Sequence, residues 1–136
     1  MKVAVVIFPV KPDSVLVKLA KALAAGIEGQ GHQVDVIDAT REPEKKLIIY
    51  KYIAIGCEPV SIFGKISERL APYLAASGAI GGKRSFAFIN QTFFGAQKAL
   101  LNLMRSMENE GMFVKSSYMF KKELIAQEVG RRLHIE

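Results

Sequence analysis

Val3-Ala4-Val5-Val6-Ile7-Phe8, followed by Pro9-Val10-Lys11-Pro12-Asp13-Ser14, is the stretch that decides the fold class of this chain. The first six residues form an apolar, largely β-branched run without polar alternation, the pattern of a strand buried on both faces of a parallel sheet. The next six interrupt it. Val15, Leu16, Leu19, Ala20, Leu23, Ala24 and Ile27 then recur at helical spacing, so strand, loop and helix follow in order. Asp13 or Ser14 suits the helix cap, and Pro12 is tolerated near the start because a first-turn amide has no intrahelical partner. Gly29 and Gly31 end the helix.

Working outward, the alternation repeats. Val34, Val36 and Ile37 make a second strand closing at Asp38, and a third apolar run extends from Leu47 to Ile55. A parallel crossover needs about a dozen residues, so the third strand begins either at Leu47 or nearer Tyr52. Ile66, Leu70, Tyr73 and Leu74 predict a second helix, and Ser85 to Ile89 a fourth strand after the loop of Gly78, Gly81 and Gly82. Ala96, Ala99, Leu100, Leu103, Met104 and Met107 predict a third helix, Phe113 to Phe120 a fifth strand, and Leu124, Ile125, Val129 and Leu133 a terminal helix. The expected class is α/β, a three-layer, doubly wound, parallel five-stranded sheet with right-handed crossovers. Ligands in such sheets bind beyond the carboxyl ends of the strands, which selects the loops Pro9 to Ser14, Cys57 to Gly64 and Asn90 to Gly95.

The chain has 136 residues, 50% hydrophobic and 24% charged, the balance of an ordinary globular protein and long enough for a core without metals or disulfides. One domain spanning residues 1–136 is expected. No apolar run approaches the roughly 20 residues of a membrane-spanning helix, and a strand with an early proline is no signal peptide, so the expected location is the cytoplasm without membrane attachment. The single cysteine, Cys57, has no partner for an internal disulfide and no His or basic neighbour in sequence, and is expected to be a small buried residue. The formal charge of +6 favours acidic partners. Because the cations are dispersed and not interleaved with aromatic residues, they predict a solvated basic face and not a nucleic-acid surface. His32 and His134 suggest neither a metal nor a catalytic pair.

The segment Tyr52-Ile53-Ala54-Ile55-Gly56, with Pro59-Val60 and Phe63-Gly64-Lys65-Ile66-Ser67 after it, resembles the flavodoxin family, and the resemblance extends over nearly the whole length. Gly82-Lys83 before a buried strand, and the polar and aromatic loop from Asn90 to Gly95, are similar to the family's next unit. The resemblance implies the flavodoxin-like strand order 2-1-3-4-5 with flavin mononucleotide (FMN) at the junction of the first and third strands. It places Val10, Lys11, Asp13 and Ser14 at the phosphate and ribityl chain. It sets Val60, Phe63 and Gly64 on one side of the ring and Asn90, Gln91, Phe93 and Phe94 on the other. The first loop departs from the family's hydroxyl-rich run with a central glycine. Only Ser14 keeps a hydroxyl, two prolines remove amide donors, and Asp13 would repel a phosphate it faced. Lys11 supplies a compensating point charge.

Two functions follow. The resemblance implies an FMN-binding flavoprotein with an electron-transfer or flavin-reductase-like oxidoreductase role and a redox partner protein, although the basic balance departs from the acidic surface of flavodoxin carriers. The alternative is a flavodoxin-like binding or interaction module that has lost FMN. Phe63, Phe93 and Phe94 either stack on a flavin or plug the core edge. A phosphoryl-accepting receiver domain would need an Asp at the end of the third strand, where Gly56 and Cys57 stand, and no G-x-S-x-G turn supports a hydrolase.

Overall fold

The computed structural model describes residues 1–91 and 94–135. Its elements are β1 (Lys2–Phe8), α1 (Val15–Glu28), β2 (Gln33–Asp38), β3 (Tyr52–Cys57), α2 (Leu70–Ala76), β4 (Arg84–Asn90), α3 (Ala96–Asn109), β5 (Phe113–Phe120) and α4 (Glu123–Arg132). All neighbouring strands are parallel, in the order β2-β1-β3-β4-β5. This is the doubly wound sheet expected from the sequence.

Alternation along each central strand divides the core in two, because successive side chains leave a strand on opposite faces. Ala4, Val6 and Phe8 of β1, with Ile53, Ile55 and Cys57 of β3, pack on the face covered by α2 and α3. Val3, Val5 and Ile7, with Tyr52, Ala54, Phe86 and Phe88, pack on the face covered by α1 and α4. Gly56 falls on the latter face, where a Cβ would lie 2.3 Å from the Phe88 ring, so glycine makes room for an aromatic cluster in which Phe88 stacks on Phe86 and Phe120 packs tilted against both. At the edge strand β5 the register shifts by a bulge opposite Ser85 and Phe86.

One open boundary is decided and one local reading is corrected. Of the two starts open for the third strand, the one at Tyr52 holds, since the link from β2 must first return to the amino edge of the sheet, and residues 39–51 do so without a helix. Leu47 and Tyr50 are buried in that link, which is tied down by Leu47 N–H to the Ser77 carbonyl (2.8 Å) and by Tyr50 Oη to Asp35 Oδ2 (2.7 Å). Burial, then the bond to Asp35, raise the Tyr50 phenol's pKa, so it remains a donor. The second helix starts at Leu70 and not at Ile66. A start at Ile66 would put Pro72 in the helix interior, whereas a start at Leu70 leaves it in the first turn, where its missing N–H costs nothing. Ile66 stays in the loop, half-buried against the core.

Cys57 is fully buried, and burial followed by the neighbouring Glu58 carboxylate pushes its thiol pKa up. The native protein should therefore resist iodoacetamide at neutral pH and become labelled only after denaturation, as intact mass would record. Rapid labelling of the folded chain would contradict this placement.

Candidate functional site

Parallel register brings the ends of three strands to one level. Phe8 pairs with Cys57 and Cys57 with Ile89, so the residues just beyond them lie side by side, Pro9-Val10 and Glu58 leaving the sheet next to Asn90 at the end of β4. Ser14 caps α1, its Oγ accepting the Leu16 N–H at 3.2 Å, and its own N–H donates to the Lys11 carbonyl at 3.1 Å, closing the turn before the helix.

Into this turn reaches a carboxylate that the sequence did not point to. Glu58 is only 7% exposed. Its Oε2 accepts the Val10 N–H at 2.7 Å, and its Oε1 accepts the Ser14 hydroxyl in a short hydrogen bond and the Asn90 Nδ2 amide at 3.3 Å. A loop amide, a helix-capping hydroxyl and a side-chain amide thus converge on one anion at the positive end of the α1 dipole. Of the residues expected at a phosphate, Val10 and Ser14 meet here around Glu58. Asp13 stands exposed on the turn.

Lys11 faces a different space. With Phe8, Pro9, Val10 and Pro12 it lines a cleft of about 400 Å³, closed by Asp38 at the end of β2 with Thr40 and Arg41 beyond it, and by Val60, Ser67 and Arg69 after β3. Asp38 Oδ1 accepts the Thr40 N–H and hydroxyl at 2.9 and 2.6 Å, while Arg69 Nη1 donates to the Thr40 carbonyl at 3.4 Å and Arg41 Nε lies 4.0 Å from Asp38 Oδ2. Among the described residues three cationic side chains and one carboxylate line the cleft, which makes this lining net positive.

The loop after β3 is a tight turn, with Val60 N–H bonded to the Lys65 carbonyl at 2.8 Å and Gly64 N–H to the Ser61 carbonyl at 3.2 Å. Gly64 is buried against the start of α3, where a Cβ would come within 2.3 Å of Lys98 Cβ, and its carbonyl accepts Asn102 Nδ2 at 2.9 Å. Gly95, at φ 84°, abuts the same turn so closely that a Cβ would lie 2.4 Å from the Ser61 carbonyl. The two loops therefore touch, and they carry Val60, Ile62, Phe63 and Phe94 into solvent at 49, 64, 71 and 71% exposure. Asn90 and Gln91 lie half-buried behind them, Gln91 N–H donating to the Phe120 carbonyl at 2.9 Å. Phe93 lies outside the described residues.

The comparison with solved structures matches this architecture to oxidised Flavodoxin 1 from Bacillus cereus, with a TM-score of 0.73, 16% identity, and 97% of this chain and 93% of that one covered. The chain has the flavodoxin-like fold. The flavodoxin-like arrangement recurs in the flavodoxin, WrbA-like protein from Agrobacterium tumefaciens, at a TM-score of 0.68 and 18% identity over 97% of this chain and 94% of that one. It recurs again in an NAD(P)H:quinone oxidoreductase from Methanothermobacter marburgensis, at a TM-score of 0.65 and 12% identity over 98% and 99%. No protein-family model matches the sequence, and no curated protein matches it. At these identities the likeness is one of fold.

Sequence reasoning missed Glu58, Arg41 and Arg69. The available signal was position: an acidic residue directly follows the third strand, at the level where ligands meet such sheets.

Proposed function

We propose that this chain binds a flavin across the carboxyl edge of its sheet and acts as a flavodoxin-like electron carrier or flavin-reductase-like protein with a protein redox partner. The observation that carries the reading is the group of exposed apolar side chains, Val60, Ile62, Phe63 and Phe94, on two abutting loops beside a cationic cleft. A flavin is an apolar tricycle with a polar tail, so its ring suits the apolar group and its tail the space between the β1 and β3 loops. The flavin, when bound, supplies the electron-transfer chemistry. The protein's part is to cover the ring faces, keep water from them and set the local charge. FMN is the form the sequence resemblance implies.

Flavin fluorescence provides the test. Titration of the purified chain with riboflavin and with FMN should give saturable quenching by at least one of them. Phe63→Ala and Phe94→Ala should each weaken that binding about three- to tenfold, the value of an aromatic stacking contact. Retained affinity in both variants would remove these aromatics from the site.

The alternative, a flavodoxin-like interaction module without flavin, is favoured by one observation, the Glu58 carboxylate seated where the first loop would receive a phosphate. It takes over if neither flavin is quenched at any concentration.

A further inference from the structure

The phosphate end of FMN does not fit the residues present. Three donors that converge beside the start of α1 already hold an anion, since Val10 N–H, Ser14 Oγ and Asn90 Nδ2 all donate to Glu58, while the Leu16 and Val17 amides of the first turn are taken by the Ser14 hydroxyl and carbonyl. A phosphate brought to them would displace a buried, hydrogen-bonded carboxylate or lie against it as a like charge, and both are unfavourable. Pro9 and Pro12 in the same loop carry no amide, and the Ser14 amide is already bonded to the Lys11 carbonyl. We infer that Glu58 is the built-in anion of this cradle and makes it select a ligand whose tail ends in a neutral hydroxyl, so that the chain takes riboflavin in preference to FMN.

The flavin part of this inference rests on the function proposed above; the closure of the cradle to phosphate does not. Register makes the arrangement a fixed part of the fold. Glu58 directly follows the β3 residue paired with Phe8 of β1, and Asn90 directly follows the β4 residue paired with Cys57, so no loop movement is needed to bring the three strand ends together. The carboxylate satisfies the loop amide and the capping hydroxyl without any ligand, so these donors are not open to a second anion.

The experiment compares the native chain with Glu58→Ser, which vacates the cradle, and Glu58→Gln, which keeps it filled but removes the charge. The native chain should bind riboflavin at least about tenfold more tightly than FMN. In Glu58→Ser, affinity for FMN should rise about ten- to a hundredfold, the value of a charge-assisted hydrogen bond, while that for riboflavin changes little. Inorganic phosphate, used alone as a probe, should raise the melting temperature of Glu58→Ser saturably and by more than that of the native chain or Glu58→Gln. Tighter binding of FMN than riboflavin by the native chain overturns the selection, and loss of that preference in Lys11→Ala would assign the phosphate to the cationic cleft instead. Equal stabilisation of native chain and Glu58→Ser by phosphate overturns the closed cradle. If no flavin binds to any form, the flavin reading fails by itself and the phosphate measurement still decides the cradle. Should Glu58→Ser not fold, the riboflavin and FMN comparison on the native chain decides without it.

Discussion

A methyl group placed on Gly26 or Gly130 should lower the melting temperature by about 10 °C, from a loss of about 2 to 3 kcal/mol through overpacking. Helix propensity alone predicts the opposite sign, since glycine inside a helix is about 1 kcal/mol less favourable than alanine. The reason for the reversal is the crossing of α1 and α4. A Cβ on Gly26 would lie 2.1 Å from the Gln127 carbonyl and 2.8 Å from the Arg131 nitrogen, and one on Gly130 would lie 2.3 Å from the Leu23 carbonyl. These are backbone atoms, so no rotamer change relieves the clash and the helices must separate. Separation would expose Leu23, Ile27 and Ala126, which are buried between α1, α4 and the sheet. Circular dichroism during heating reads the effect, and an unchanged or higher melting temperature for both alanine variants would contradict the crossing described.

Gly95→Ala should spare the sheet while separating the loops that present the apolar group. Two costs act together there, the left-handed backbone at φ 84° and the approach of the new Cβ to within 2.4 Å of the Ser61 carbonyl. The expected loss of stability is about 1 to 3 kcal/mol. Flavin affinity should fall by about tenfold or more, because Phe94 and the turn carrying Ile62 and Phe63 no longer meet in one place. Gly31→Ala provides the control. Its φ is 98°, but no described residue lies within 4 Å of a Cβ there, and it sits in the turn after α1. It should lower stability by backbone strain alone, about 1 kcal/mol, and leave flavin binding as it was. Equal loss of flavin binding in both variants would show that general destabilisation, and not the contact between loops, governs the site.

Much of the fold was legible because its signals are local. The run from Val3 to Phe8 could be recognised as a doubly buried strand from its composition, and the spacing of Leu16, Leu19, Leu23 and Ile27 as one buried helix face, without knowing what either would touch. The boundaries left open or misplaced lay where local signals compete. Leu47 to Tyr50 are apolar enough for a strand yet form a buried crossover, and Ile66 continues the helical spacing although Pro72 confines the helix start to Leu70.

The candidate site was legible only in outline. The three loops followed from the general rule for parallel sheets, and Ser14 from its place before the helix, both properties of order along the chain. The occupant of the first loop was not, because Glu58 lies 48 residues from Val10 and 44 from Ser14. By itself the sequence determined which segments become strands and helices, since periodicity and turn residues act over a few neighbours. Only the tertiary structure decided that a carboxylate beyond β3 fills the cradle beside β1, and that Gly26 and Gly130 bring two helices into backbone contact, because both depend on the register and packing of segments far apart in the chain.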